Sequence, residues 1–130
     1  MAELYDKCKE NFLTGKINWL EDDIKVILIG DGYEVDIHDD EFFSSIPFDA
    51  SIAVSASLTG KTAEYGIANA SDIIIYDVVG QCRFMVLFKD TGDENTSPLI
   101  AYFDLGAFPQ ANHIDIKIVW DNSLYRIFSL

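Results

Sequence analysis

In its second half the chain alternates short apolar runs with compact polar breaks. Residues 72–78, 82–88, 99–103, 114–120 and 124–128 are each rich in Ile, Val, Phe or Tyr. Each run is long enough for one strand and too short for a typical globular helix. The breaks, Val79-Gly80-Gln81, the polar stretch 91–98 and Asp121-Asn122-Ser123, carry residues that tolerate turn dihedrals. No helical crossover fits between the runs, so strands adjacent in sequence are expected to pair mostly antiparallel.

The first half is more mixed. Over residues 2–13, Leu4, Cys8 and Phe12 recur at i, i+4 and i+8 with Tyr5 beside them, while Glu3, Lys7, Lys9 and Glu10 take the other faces. That period predicts one amphipathic helix, ended by Thr14-Gly15 with Gly15 in the left-handed position. Such a helix either covers an opening of its own domain or docks on a partner. The run 24–29, Ile-Lys-Val-Ile-Leu-Ile, is nearly continuous in apolar character and reads as a central strand covered on both sides, closed by Gly30-Asp31-Gly32. Residues 33–47 read as a loop with one helical turn around 40–44. Residues 51–57 are β-compatible, and Thr59-Gly60-Lys61 is a turn into a further short strand or loop at 62–67. The expected fold is all-β, an antiparallel β-sandwich or flattened barrel of about seven to nine strands with one N-terminal helix.

Length and composition agree with one domain spanning 1–130. The chain is 49% hydrophobic and 13% aromatic with 3 Pro, far from the signature of disorder. Its apolar runs stop well short of the roughly 18 to 20 residues that cross a bilayer. The opening Met1-Ala2-Glu3-Leu4-Tyr5-Asp6 lacks the charged and apolar regions of a signal peptide, so a soluble, non-exported protein without a membrane partner is expected. The net charge of −13, from 22 acidic and 9 basic side chains, repels phosphate and argues against nucleic acid. Ten of the carboxylates fall between Glu21 and Asp49, against the single Lys25. That face is either a solvated surface or a site for a basic partner or cation.

The candidate chemistry is thin. Ser55 through Thr62 ends in the Gly60-Lys61-Thr62 of a phosphate-binding loop, but Ser55 stands where the leading glycine is needed and Ala63-Glu64-Tyr65-Gly66 is a poor helix start. The expected reading is a turn in which Gly60 takes a positive φ and Lys61 points to water. His38 sits among Asp36, Asp39, Asp40 and Glu41, yet residue type alone makes no metal site, and His113 lies far away in sequence. The loop 90–95 gathers oxygen ligands without the order of an EF-hand. Cys8 and Cys82 form no Cys-x-x-Cys pair, and no nucleophile elbow is present. The sequence therefore names no catalytic residue, no metal ligand and no cofactor. Trp19 and Trp120 are expected as core residues or interface anchors rather than ligand platforms.

Several stretches together resemble a family of small virion structural proteins of tailed bacteriophages. They are Ile17-Asn18-Trp19-Leu20-Glu21-Asp22-Asp23-Ile24-Lys25-Val26, Ala56-Ser57-Leu58-Thr59-Gly60-Lys61-Thr62, Lys89-Asp90-Thr91-Gly92 with Ser97-Pro98-Leu99-Ile100-Ala101-Tyr102, and Ile118-Val119-Trp120-Asp121-Asn122 with Ile127-Phe128. Their order covers nearly the whole chain. The resemblance implies a non-enzymatic part of the phage particle, either a decoration or cement protein on the head or a small tail or baseplate component. Its partners would be the major capsid protein or other virion proteins, and further copies of itself. It departs from the family at residues 34–41 and 106–112, where partner contacts do not carry over. For a protein that works by adhesion, the candidate interface residues are Leu4, Tyr5, Phe12, Trp19, Phe42 and Phe43. A carbohydrate- or cation-binding β-sandwich using the acidic loops and a tryptophan is the alternative from another class.

Overall fold

The computed structural model describes residues 3–106, 110–120 and 127–130. Among them the strands are β1 (Glu3–Leu4), β2 (Ile24–Ile29), β3 (Ser51–Val54), β4 (Ile67–Ala68), β5 (Ile73–Gln81), β6 (Phe84–Lys89), β7 (Leu99–Asp104), β8 (Gln110–Ile118) and β9 (Phe128–Ser129), with one helix, α1 (Asp6–Leu13). Every pairing is antiparallel. The largest sheet has the order β1-β7-β6-β2-β3, and β4-β9 and β5-β8 form two-stranded sheets. The fold is all-β with one N-terminal helix, as the periodicity predicts.

The middle of the large sheet follows from the run 24–29. Ile24, Val26, Ile27, Leu28 and Ile29 are all buried, and β2 lies between β6 and β3. Only an element covered on both faces buries consecutive side chains this way, and each fully buried Ile or Leu contributes about 1.5–3 kcal/mol relative to exposure. β3 stops at Val54 because Ser55 turns its side chain into the ladder. Ser55 Oγ accepts the Val26 N–H at 2.9 Å and donates to the Ala56 carbonyl at 2.7 Å. At the far end, Lys25 and Asp90 close the β2–β6 pair at 2.6 Å, each holding the other in its charged form.

The helix is shorter than the predicted 2–13. Glu3 and Leu4 are extended and pair with Tyr102 and Ala101 on the open edge of β7, where the Tyr102 hydroxyl donates to Glu3 at 2.7 Å. Backbone pairing with an available edge overrides the i, i+4 pattern that placed Leu4 on the helix. The C-terminus is built as expected: Gly15 has φ 76°, Lys16 N–H reaches the Asn11 carbonyl at 2.8 Å and Gly15 N–H the Phe12 carbonyl at 3.3 Å.

The predicted turn at Val79-Gly80-Gln81 is not a turn. β5 runs through all three residues and then passes by Cys82 and Arg83 into β6, so one nearly continuous strand belongs first to one sheet and then to another. Gly80 allows this through its backbone: its φ of 132° is one that L side chains rarely adopt, while a Cβ there would meet Ile52 only at an ordinary contact distance of 3.4 Å. In consequence β5 pairs with β8 and not with its sequence neighbour β6. β8 also begins at Gln110, four residues before the predicted start, and ends at Ile118. The strand predicted at 124–128 falls mostly outside the described residues; its last residue, Phe128, opens β9. The loop 33–47 holds a 3-10 turn at Phe43–Ser45, displaced from the expected 40–44, and a second turn follows at Phe48–Ala50.

Candidate functional site

The six candidate interface residues do not form one surface. Tyr5 and Trp19 are buried in the core, and Leu4, Phe12 and Phe43 are half-buried and packed against it. The amphipathic and aromatic signal that selected them was the signal of the chain's own core. Leu4 and Tyr5 lie against β7, the Tyr5 ring 5.9 Å from that of Tyr102. Phe42 bridges to Pro98, and the Phe43 ring rests 4.8 Å from Phe88. Phe12 and Trp19 are brought together around Phe128, at 6.1 Å and 5.3 Å, and the Trp19 Nε1–H donates to the Asn69 carbonyl at 3.3 Å.

Beside these three rings is an open apolar cleft of about 360 Å³, floored by Phe12, Trp19, Ile67 and Phe128 and edged by Leu130 and the Gly15 turn. Its polar side chain, Asn18, already accepts the N–H groups of Leu20 and Glu21. Among the described residues no charged side chain lines it, so it suits an apolar side chain rather than an ion or a reacting polar group.

The titratable groups are tied to one another and to their own backbone. Tyr33 donates to Asp40 Oδ2 at 2.7 Å, so the proton of the buried Tyr5 hydroxyl, 2.8 Å away, points at Tyr33 Oη. Burial is the main cause that pushes both phenols well above their ordinary range. Asp40 also accepts the Asp36 N–H, and Asp36 Oδ1 accepts those of His38 and Asp39. The exposed His38 imidazole meets Asp6 at 2.6 Å; that bond raises the histidine and lowers the carboxyl. The acidic loop is therefore clasped to the start of α1. In the loop 90–98, Asp90 and Asp93 cap the N–H groups of Gly92 and Asn95. Among the described residues no three His, Cys, Asp or Glu side chains converge on one point. Cys8 and Cys82 are buried free thiols, with Cys8 pushed up to about 12.

The segment that mimics a phosphate-binding loop is a turn, with Gly60 at φ 62° and Thr62 bridged to Asn69. Lys61 does not point to water as expected. It is half-buried and its ammonium donates to the Asp22 carbonyl, which fastens the turn to the acidic stretch 21–23.

What the sequence reading missed is the outer surface of the β5·β8 ribbon. Ile75, Val78, Ala111 and Ile118 point into the core, whereas Ile74 (38% exposed), Tyr76 (69%) and Val79 (50%) face the other way into solvent; Ile114 (46% exposed) pairs with Val78 and so lies on the inner face, where that face runs out at the ribbon's edge. Asp77 and His113, both at φ 54°, form facing irregularities in the two strands and are joined through the imidazole at 2.8 Å. Asp115 Oδ1 accepts the Asp77 N–H at 3.0 Å and holds the bulge in place. The signal for this surface was the unbroken Ile-Ile-Ile-Tyr of 73–76. In a strand, consecutive apolar residues place side chains on both faces, so one set must be either covered elsewhere or displayed.

No family model matches this sequence, and no curated protein is significantly similar to it.

Proposed function

We propose that this chain is a non-enzymatic structural protein of a tailed-phage particle, a capsid decoration or cement protein that binds the assembled head. The observation that supports the reading most directly is the β5·β8 ribbon, a two-stranded sheet that displays three large apolar side chains, Ile74, Tyr76 and Val79, on its outer face. Isolated exposed apolar residues are ordinary, but three on one face of a ribbon make an adhesive surface. The resemblance of residues 17–26, 56–62, 89–92, 97–102, 118–122 and 127–128 to small virion proteins supplies the setting. In that setting a modest contact is enough, because many copies on a symmetric shell multiply it through avidity.

Electron microscopy of the source particle tests this. Density for the chain on the capsid surface, lost or thinned when Tyr76→Glu places a charge on the ribbon, is the expected result. Density confined to the tail rejects the head assignment in favour of a tail component. Absence of the chain from purified particles rejects the virion reading altogether.

A further inference from the structure

The outer edge of the ribbon is β8, and among the described residues that edge has no ladder partner. Among the described residues its sheet contains β5 and β8 alone, and residues 110–118 make no other backbone–backbone hydrogen bond with them. Asn112 through Asp115 and Lys117 are exposed and Ile116 is half-buried. An exposed edge of this length is a template for another strand unless it is blunted. The regular part, Ile114 to Ile118 beyond the His113 irregularity, carries one acid and one base two residues apart, and so on one face.

We infer that β8 pairs antiparallel with β8 of a second copy about a two-fold axis at Ile116, joining two ribbons into one four-stranded sheet; the proposal rests on the adhesive reading of the ribbon given above. In this register Asp115 of each copy faces Lys117 of the other, which makes two ion pairs by symmetry. Asp115 uses Oδ1 for its own Asp77 N–H and keeps Oδ2 for the lysine. On the opposite face Ile116 meets its own copy. The exposed Ile114 of one chain lies beside Ile118, the buried end of the same row, on the other. The neighbouring same-face registers, centred on Asp115 or Lys117, set like charges face to face, which is destabilising. Charges blunt an edge against foreign strands; here the Asp-Ile-Lys order makes the edge complementary to itself.

A five-residue strand pair is small beside the roughly 1,200–2,000 Å² of a stable interface, so the dimer is weak in isolation and gains strength from repetition. Sedimentation equilibrium of the full chain, run up to about 1 mM, tests it. The wild type should show reversible dimers. Asp115→Lys and Lys117→Asp should each weaken self-association about tenfold or more, since each sets like charges opposite. An equimolar mixture of the two variants should restore dimerisation, because both facing pairs are again opposite in sign. Circular dichroism melts establish that the variants fold. Should Asp115→Lys unfold by losing the Asp77 contact, Ile114→Lys replaces it and should abolish the dimer alone. A wild type that stays monomeric at the highest concentration, or variants that dimerise as well as wild type, overturns the inference. Protection of the β8 amides only when heads are added would give the edge to a strand of the capsid protein instead. Dimers without capsid density would leave this inference standing and sink the proposed function, and capsid density without dimers would do the reverse.

Discussion

Removing one hydroxyl from Tyr5 or from Tyr33 looks like the same change, yet the geometry makes the two very unequal. The Tyr5 hydroxyl donates to Tyr33 Oη at 2.8 Å, and Tyr33 donates onward to Asp40 at 2.7 Å. Tyr5→Phe deletes the start of this chain and leaves Tyr33 with its carboxylate, so the loss is one ordinary hydrogen bond, about 0.5–1.5 kcal/mol. Tyr33→Phe deletes the middle. It strands the fully buried Tyr5 hydroxyl, at about 1–3 kcal/mol, and also cuts a bond to a charged acceptor. Because Asp40 is half-exposed and regains water, the second loss is near 1 kcal/mol, for a total of roughly 2–4 kcal/mol. In the double variant Tyr5→Phe/Tyr33→Phe nothing is stranded, and the cost should fall back to about 1–2 kcal/mol. For a chain of 130 residues each kcal/mol moves the midpoint by roughly 3–4 °C. Thermal unfolding of the four proteins should therefore rank wild type, Tyr5→Phe and the double variant above Tyr33→Phe. A double variant less stable than Tyr33→Phe, or a Tyr5→Phe as damaging as Tyr33→Phe, refutes the relay.

Three further outcomes follow from the same structure. Ser55→Ala should cost about 1–3 kcal/mol in urea unfolding, because the buried Val26 N–H loses its acceptor; a neutral effect would mean that the strand end re-pairs. The His38–Asp6 clasp has a defined pH window: the raised histidine contributes fully below its ordinary value of 6.5 and is lost as pH rises through the folded pKa, while the lowered Asp6 contributes fully above 3.8 and is lost as pH falls through its folded pKa. Asp6→Asn should bring the His38 titration, followed by NMR, down toward 6.5, and an unmoved midpoint would remove Asp6 as the cause. Finally, burial at Cys8 and Cys82 should keep both thiols silent toward a disulfide reagent at pH 8 until the chain unfolds, and fast labelling of the native protein would contradict the packing.

Much of the framework was legible because it depends on period. The run 24–29 declared a strand covered on both faces, and Thr14-Gly15 declared the helix end, since each rests on chemistry within a few residues. The errors were all cases in which a distant partner decided. Leu4 carries helical spacing but found an open edge at Ala101, and Val79-Gly80-Gln81 carries turn residues but is held extended by β8. Burial of the candidate contacts is hidden for a related reason. Aromatic residues that anchor an interface and those that fill a core share one composition, so the sequence pattern does not separate the buried Tyr5 and Trp19 from the exposed Ile74 and Tyr76. Lys61 shows the same limit, because its acceptor at Asp22 is 39 positions away.

The nearly continuous passage of β5 into β6 has a mechanical meaning. β6 is the third of five strands in the large sheet, bonded along both sides to β7 and β2. A tug applied to the ribbon travels through Cys82 and Arg83 into the end of that central strand and strains its two rows of bonds together, sideways, rather than unzipping them one by one. An attachment made through the ribbon would thus load the middle of the large sheet rather than its edge.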